Sequence, residues 1–310
     1  MSSSLIRRLV LLLSILCCPG AWAGDDSFAF GLFGDTPYTP YERQQLPSML
    51  EAMAQSGLAF AIHAGDIKSG AARCDDEVYT GIHTLFQAAP LPIVYVPGDN
   101  EWMDCSRILA GRFDPVERLE YLRGVFFSTP QSLGHHPVPL ERQPRYPENA
   151  RWERGGVLFA TLNMPGPDNN IGNAEEYPTR NAANLAWMGE AFRIAREKNL
   201  RGLLLDIQAN PWIEANNEGV TKPGFVDFFR RLREELARFH GQVVLAHGDT
   251  HSIQINQPLQ DIHTRRTIAN FTRVETYGSP FMGWVRVVVD AQNPEVFRFE
   301  RHPWAPHSPF

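Results

Sequence analysis

The sequence predicts an α/β fold in which strands and helices alternate along most of the chain. Short apolar runs rich in β-branched residues recur, and between them lie stretches whose apolar residues are spaced by three and four. The chain has 310 residues, 43% of them hydrophobic and 21% charged, so it can bury a large core. This composition excludes a disordered or fibrous protein.

The predicted elements follow one another in an order typical of an α/β domain. The predicted strands are Phe28–Phe33, Leu58–His63, Pro92–Val96, Val157–Leu162, Gly202–Ile207 and Gln242–Ala246. The predicted helices are Tyr41–Ala54, Asp76–Ala88, Pro115–Phe126, Asn181–Lys198 and Pro223–His240. Four antiparallel strands are expected towards the end of the chain, at Ser252–Ile255, Ile268–Val274, Trp284–Asp290 and Val296–Glu300. Two stretches rich in Pro, Asn or Gly, Ser128–Asn149 and Pro165–Arg180, are predicted to be long surface loops.

The first 23 residues have the pattern of a signal peptide. Arg7 and Arg8 precede an apolar run from Leu9 to Leu16, and Ala21-Trp22-Ala23 supplies small residues for cleavage before Gly24. The run is too short to span a bilayer, and no membrane span is expected in the mature protein. We therefore predict an exported protein, periplasmic or secreted, whose residues 24–310 form a single domain. A lipid anchor on Cys17 or Cys18 is the alternative, disfavoured because the preceding residues lack the usual leucine and small residues.

Charge and cysteine content narrow the function further. The net charge is −6, and removing the two arginines of the predicted signal peptide would lower it by two, to −8. Such a surface disfavours polyanions, so no nucleic-acid partner is expected. Cys74 and Cys105 are the cysteines that remain after cleavage, and an even pair in an oxidising compartment predicts a disulfide bond. The pair forms no Cys-x-x-Cys motif, which makes a thiol oxidoreductase a poor alternative.

Four Gly-Asp dipeptides follow predicted strands, and they carry the functional prediction. Their acidic residues are Asp35, Asp66, Asp99 and Asp249. The carboxyl ends of parallel strands meet at one edge of a sheet, where ligands bind, so the four carboxylates are expected to converge. A single Gly-Asp is an ordinary turn, but four clustered carboxylates repel one another unless a cation neutralises them. The pattern therefore predicts a metal site.

The same residues resemble the calcineurin-like metallophosphoesterase superfamily, whose motifs run D-x-H, G-D, G-N-H-D/E, H and G-H-x-H. Asp35 matches the first aspartate, with Pro37 in place of the histidine, and Asp66 matches the bridging aspartate. The resemblance implies a four-layer α/β/β/α metallophosphoesterase-like sandwich with mixed sheets. It also implies a metal-dependent phosphoester hydrolase that acts on a small phosphorylated substrate, although several ligand types differ from those of the family.

The remaining motifs supply the rest of the implied site. Six residues are implied as metal ligands: Asp35, Asp66, Asp99, Gln208, Asp249 and His251. Asn100 stands where the family has its catalytic histidine, and Glu101 follows it as the candidate for proton transfer. Tyr38, Lys68 and His247 lie beside the motifs and are candidates for contacting the substrate or supporting the ligands.

The implied cofactor is one or two divalent metal ions. Because oxygen ligands dominate, manganese, magnesium or calcium is favoured, while zinc or iron remains an option. The absence of the histidine at Pro37 allows a single occupied position. The alternative function is a non-hydrolytic protein on the same fold that uses the site to bind a metal or another ligand, and it is favoured by Asn100 in place of the histidine. No Gly-x-Ser-x-Gly motif supports a serine hydrolase.

Overall fold

A computed structural model describes residues 27–304 of the chain. The predicted signal peptide lies outside the described residues. Five strands form the first sheet in the order β12-β11-β1-β2-β3. They are β1 (Phe28–Phe33), β2 (Leu58–His63), β3 (Ile93–Tyr95), β11 (Gly283–Val289) and β12 (Phe297–Pro303). β1, β2 and β3 are parallel, whereas β11 pairs antiparallel with both β1 and β12.

The second sheet has seven strands in the order β4-β5-β6-β7-β8-β10-β9. Its strands are β4 (Glu141–Gln143), β5 (Tyr146–Arg154), β6 (Val157–Thr161), β7 (Gly202–Asp206), β8 (Gln242–His247), β9 (Gln254–Asn256) and β10 (Phe271–Glu275). β6, β7, β8 and β10 run parallel to one another, and the outer strands pair antiparallel. Both sheets are therefore mixed, as predicted.

Six α-helices connect these strands. They are α1 (Pro40–Gln55), α2 (Asp76–Gln87), α3 (Pro115–Phe126), α4 (Tyr177–Glu197), α5 (Ile213–Asn217) and α6 (Val226–Leu236). Short 3₁₀ turns occupy Met103–Ser106 and Pro223–Phe225. Local sequence explains how α1 begins: the Thr39 side chain accepts a hydrogen bond from the Glu42 N–H, and Pro40 takes the first helical position.

The helices and sheets stack as four layers, with a buried apolar cluster at each of the three boundaries between layers. One packs α1, α2 and α3 against the outer face of the first sheet, and a second packs α4 and α6 against the outer face of the second. The third lies between the sheets, where Phe30 and Phe60 of one sheet meet Phe159 of the other at ring-centroid distances of 5.2 Å. The α/β/β/α sandwich with mixed sheets predicted from the sequence is confirmed.

Some element predictions were wrong. The stretch 128–149 was predicted to be a loop but contains β4 and the start of β5, and α4 begins at Tyr177, inside the second predicted loop. Pro147 is tolerated because the β4–β5 register is irregular between Arg142 and Gln143. The strand predicted near residues 268–274 pairs in parallel with β8 as well as antiparallel with β9.

The topology brings the carboxyl ends of the parallel strands of both sheets to one edge. The backbone N–H of Asp35, after β1, donates to the Gly65 carbonyl after β2 over 3.0 Å. The Gly248 N–H, after β8, donates to the Gln208 carbonyl after β7 over 2.9 Å. In the described part of the chain, no helix is both long and apolar enough to cross a bilayer.

Candidate active site

The strand-end turns hold their acidic residues in an unusual backbone conformation. Asp35, Asp66 and Asp249 have φ values of 50°, 61° and 81°, and His251 has a φ of 57°. The left-handed region costs a residue with a Cβ roughly 1–2 kcal/mol, and such strain is concentrated at functional sites. The tertiary structure must therefore hold these turns in place, and contacts between them do so.

Two glycines make the close packing of these turns possible. A Cβ at Gly98 would collide with the carboxylate of Asp66, and a Cβ at Gly248 would collide with that of Asp35. In these two of the four Gly-Asp pairs, the glycine thus leaves room for the carboxylate of another turn. The sequence identified these glycines only as turn residues.

Asp66 lies at the centre of the site and is 3% exposed. Its Oδ2 accepts hydrogen bonds from the Tyr38 hydroxyl (2.9 Å), the Asn100 amide (2.9 Å) and the Gln208 amide (3.2 Å). Its Oδ1 accepts from the backbone N–H of Asn100 over 3.2 Å. Four protein donors therefore surround the carboxylate predicted to bridge two metals.

Burial and mutual repulsion raise the pKa values of the acidic residues. Burial, with repulsion from Asp99 and Glu101, holds the pKa of Asp66 well above its usual range. Burial likewise raises the pKa of Asp35, with Asp249 adding repulsion, and raises the pKa of Asp99 to about 6. A cluster of this kind gains stability from any positive charge placed beside it.

Lys68 supplies one such charge from within the protein. The side chain is buried, and its Nζ donates to the carbonyls of Ser69 (3.2 Å) and Ala72 (3.0 Å). Burial lowers the pKa of Lys68, while attraction to Glu101 and Asp66 opposes that change. Lys68 is thus placed to stabilise the acidic loops, and its bonds to carbonyls turn it away from the direct substrate contact that the sequence suggested.

Glu101 links two of the loops rather than pointing towards a substrate. One carboxylate oxygen accepts from the backbone N–H of Ile67, and the other accepts from the N–H of Gly98 over 2.9 Å. The side chain is fully buried, and burial raises the pKa of Glu101 to about 7. Because both oxygens are engaged by backbone groups, the geometry does not support the proton-transfer assignment made for Glu101.

His251 and Asp35 form the part of the site best suited to a cation. The Nδ1 of His251 lies 2.6 Å from the Ser279 carbonyl and donates to it, and Nε2 is the ring nitrogen that faces Asp35, 3.6 Å from Oδ1. A metal-binding histidine receives this kind of support at the nitrogen that does not ligate the metal. Among the hydrogen bonds of the described residues, the Asp35 carboxylate has one donor, the backbone N–H of Asp249. That nitrogen lies 3.1 Å from Oδ1 and 3.2 Å from Oδ2.

Gln208 does not fit the ligand assignment. Its Oε1 accepts from the backbone N–H of Gly166 over 2.7 Å, so its amide NH₂ faces Asp66. Turning the amide over to offer oxygen would place two donors, NH₂ and the Gly166 N–H, against each other. An NH₂ group cannot ligate a cation, so Gln208 is not placed to act as the metal ligand that the resemblance implies.

Asp99 and Asp249 complete that side of the cluster. Asp99 Oδ1 is buried and has no hydrogen-bond partner, whereas Asp249 Oδ2 accepts from the Asn210 N–H over 2.9 Å. Across residues 27–304, no three His, Cys, Asp or Glu side chains are gathered closely enough to hold a metal as they stand. Asp35, Asp66 and His251 have donor atoms that suit a cation but would have to move closer together to share one, and Gln208 presents NH₂ rather than oxygen.

His247 is fully buried and cannot contact a substrate. Its Nδ1 lies 2.9 Å from the Gly248 carbonyl, and burial lowers the pKa of His247 to about 3. The imidazole is therefore neutral and belongs to the base of the turn that carries Asp249. The sequence could not distinguish this position from one at the surface of the site.

The predicted disulfide between Cys74 and Cys105 is present, with the Cα atoms 5.7 Å apart and a sequence separation of 31. Cys74 lies in the loop after β2, and Cys105 lies in the 3₁₀ turn after β3. The bond therefore ties the loop of Asp66 and Lys68 to the loop of Asp99.

Sequence reasoning missed two supporting residues. Glu42, in the first turn of α1, accepts hydrogen bonds from the Tyr38 N–H over 2.6 Å and from the Ser279 hydroxyl over 2.7 Å. It thereby joins the turn after β1 to the segment whose carbonyl orients His251. The backbone N–H of Asn210 donates to the Asp249 carboxylate. The sequence signal that could have identified Asn210 is its position just after β7, two residues beyond Gln208.

Comparison with solved structures places this fold among known ones. PhoD aligns with a TM-score of 0.56 and 11% identity, over 89% of this chain and 68% of PhoD. Two further matches are the sulfate thiohydrolase SoxB of Thermus thermophilus in complex with glycerol (TM-score 0.44, 15% identity) and a 5'-nucleotidase precursor of the same organism (TM-score 0.45, 11% identity). They cover 84% and 89% of this chain, which spans only 41% and 54% of their lengths.

The alignment with PhoD defines a class of fold. At 11% identity, the likeness to PhoD shows the architecture alone, and that architecture is a metallophosphoesterase-like sandwich. No protein-family model matches the sequence, and a search of curated proteins found no match. The chemistry must therefore be argued from the residues of this chain.

Proposed function

We propose that the protein is an exported hydrolase of small phosphoesters that depends on a divalent cation. The observation that carries this proposal is the convergence of Asp35, Asp66 and His251 at the carboxyl edge of the sheets, with His251 Nε2 facing Asp35 at 3.6 Å. Two carboxylates and an imidazole suit manganese or zinc, and magnesium to a lesser degree. This arrangement supports one cation rather than the dinuclear centre implied by the family motifs.

The cation, when bound by Asp35, Asp66 and His251, would polarise the phosphoryl group and lower the pKa of water. Asn100 contributes through its amide, whose Nδ2 donates to Asp66 and to the Tyr38 hydroxyl over 3.1 Å. Its position beside Asp66 suits a hydrogen bond to a phosphoryl oxygen. The amide cannot donate a proton to a leaving group, because it does not ionise in this range.

Tyr38 does not replace the missing acid. Its hydroxyl donates to Asp66, and burial together with the charges of Asp66 and Asp35 raises its pKa. A phenol with a raised pKa holds its proton more firmly, so it is a weaker general acid. The site therefore favours substrates whose leaving group departs without protonation, such as aryl phosphoesters.

The alternative is a protein that binds a ligand on this fold without hydrolysing it. The four donors around Asp66 favour it, because they satisfy the central carboxylate without any metal. The two functions differ in a simple assay. Purified mature protein is tested against aryl and alkyl phosphomonoesters and phosphodiesters with manganese, magnesium, calcium or zinc, and Asp66→Ala is the background. Hydrolysis above that background supports the enzyme; none with any metal supports the binding protein.

Export is tested separately by mass spectrometry of the mature amino terminus in the source cell. Cleavage between Ala23 and Gly24 is expected, since Ala21 and Ala23 fit a signal peptidase. The disulfide between Cys74 and Cys105 is consistent with an oxidising compartment. A retained Met1, or lipid on Cys17 or Cys18, would contradict the proposed location.

A further inference from the structure

An exposed tryptophan stands at the rim of the carboxylate cluster. Trp212 lies in the connection after β7, and its side chain is 43% exposed. Its backbone is left-handed, with φ 57° and ψ 58°. Keeping a tryptophan in this conformation costs about 1–2 kcal/mol and leaves a large apolar ring in water, so folding alone does not account for it.

Hydrogen bonds join Trp212 to the site. The Trp212 N–H donates to Asn210 Oδ1 over 2.9 Å, and the Asn210 N–H donates to Asp249 Oδ2 over 2.9 Å. The Asn210 side chain also donates to the Thr250 hydroxyl over 3.2 Å. Trp212 is therefore hydrogen-bonded to Asn210, which itself contacts the carboxylate cluster through Asp249.

Lys222 places a positive charge beside the indole. Its Nζ lies 5.1 Å from the centroid of the Trp212 ring, within the range of a cation–π contact, and donates to the Pro167 carbonyl over 3.3 Å. Pro167 follows Gly166, whose N–H orients Gln208. The charge of Lys222 also opposes the rise that burial causes in the pKa of Asp249. An anion that approaches the acidic cluster thus meets a cation and an aromatic surface together.

A second exposed aromatic side chain belongs to a segment that contacts the site. Phe281, which is 73% exposed, lies in the turn that also carries Ser279, the partner of His251. Exposed apolar surface beside a site is typical of a binding region.

We propose that Trp212 and Lys222 form a specificity subsite that receives a planar aromatic leaving group of the phosphoester. The aromatic ring stacks on the indole, and the Lys222 ammonium offsets the repulsion between the substrate anion and the carboxylates. The subsite extends the proposed hydrolase function and rests on it. Trp212 selects the leaving group, whereas Lys222 attracts any anionic ester.

Non-hydrolysable phosphonates test the subsite apart from turnover. Benzylphosphonate and cyclohexylmethylphosphonate have the same charge and similar size and differ in the planarity of the ring. Calorimetric titration of the manganese-supplemented mature protein should show benzylphosphonate binding about 3- to 10-fold more tightly, the range expected for one aromatic stacking contact. Trp212→Leu should bring that ratio close to one, and Trp212→Phe should keep most of it.

Lys222→Met should weaken both phosphonates alike and preserve their ratio. Lys198→Met is the matched control, because Lys198 is an exposed lysine at the opposite end of the sheet, paired with Glu153, and both affinities should stay unchanged. Equal binding of the two phosphonates by the wild type, binding of neither, or an unchanged ratio in Trp212→Leu would overturn the subsite. A retained preference with no hydrolysis of phenyl phosphate would instead count against the hydrolase function alone.

Discussion

Asn100 donates two hydrogen bonds to Asp66, one from its backbone N–H to Oδ1 (3.2 Å) and one from its side-chain amide to Oδ2 (2.9 Å). Asn100, which the motif resemblance aligns with a catalytic histidine, is therefore bound to the carboxylate at the centre of the site. A histidine could exchange a proton from this position, whereas an amide can only donate a hydrogen bond. The chemistry of the site depends on this difference.

The first prediction concerns the leaving group. General acid catalysis typically contributes about 10²- to 10⁴-fold, so a site without an acid should cleave aryl phosphoesters faster than alkyl ones by roughly that factor. Asn100→His should narrow the gap by accelerating alkyl esters. Rates of phenyl and ethyl phosphate hydrolysis by both proteins measure it. Equal rates for the two esters in the wild type would show that another residue acts as the acid.

A second prediction concerns metal content. Because the Gln208 amide presents NH₂ to Asp66, Gln208→Ala should keep the bound metal of the wild type. Asp66→Ala and His251→Ala should each lose it. Elemental analysis of protein equilibrated with manganese and then desalted gives the comparison. If Gln208→Ala instead loses one equivalent of metal relative to the wild type, the result would support the two-metal centre implied by the motifs.

The third prediction concerns the disulfide. It closes a loop of 31 residues, for which chain entropy gives a contribution of about 3–4 kcal/mol to the free energy of unfolding. Cys74→Ser/Cys105→Ser should therefore lose that amount of stability in urea unfolding. Its metal affinity should also fall, because the loops of Asp66 and Asp99 are no longer tied together. Two free thiols in the exported wild type would refute the bond itself.

The fourth prediction concerns acid stability. Burial lowers the pKa of His63 from 6.5 to about 4, while its Nε2 lies 2.8 Å from the Thr36 carbonyl. Between these two values the unfolded chain binds the proton and the folded one does not. Above pH 6.5, His63 is neutral in both states and its titration does not change the stability. As the pH falls from 6.5 towards 4, protonation of His63 in the unfolded chain lowers the free energy of unfolding by up to about 3 kcal/mol.

His63→Phe should remove that part of the pH dependence, since the ring packs among Phe33, Phe86 and Tyr95 and a phenyl group fits there. At neutral pH the variant should have a free energy of unfolding about 1 kcal/mol lower than the wild type, because the hydrogen bond to the Thr36 carbonyl is lost. Urea unfolding at about pH 4.5 and about pH 7, on either side of the ordinary histidine pKa, measures both effects. An unchanged difference between the two pH values would show that His63 does not titrate as described.

The fold was largely predictable because most strands are continuous apolar runs. β1 and β2 have the predicted bounds, since buried parallel strands leave little room for polar residues. β4 and β5 were missed because polar residues make up most of both strands, although five consecutive residues of β5, 148–152, are buried. Their pairing depends on β6, which local sequence does not reveal.

The convergence of the site was predictable from strand ends, but its orientations were not. Asp66 was expected in the cluster because its Gly-Asp dipeptide is one of four that follow predicted strands. The direction of the Gln208 amide is decided by Gly166, 42 residues away, and the engagement of Glu101 is decided by the N–H groups of Ile67 and Gly98. No local pattern joins Lys222 to Trp212.

The most direct test of the proposed function is manganese reconstitution of hydrolysis. Protein stripped with a chelator receives increasing manganese, and the rate of 4-nitrophenyl phosphate hydrolysis is followed for the wild type and for Asp66→Ala. Bound at Asp35, Asp66 and His251, one equivalent of manganese should restore the wild-type rate to saturation, and Asp66→Ala should stay at the uncatalysed rate. A wild-type rate that does not respond to the metal, or equal rates in the two proteins, would contradict the proposal.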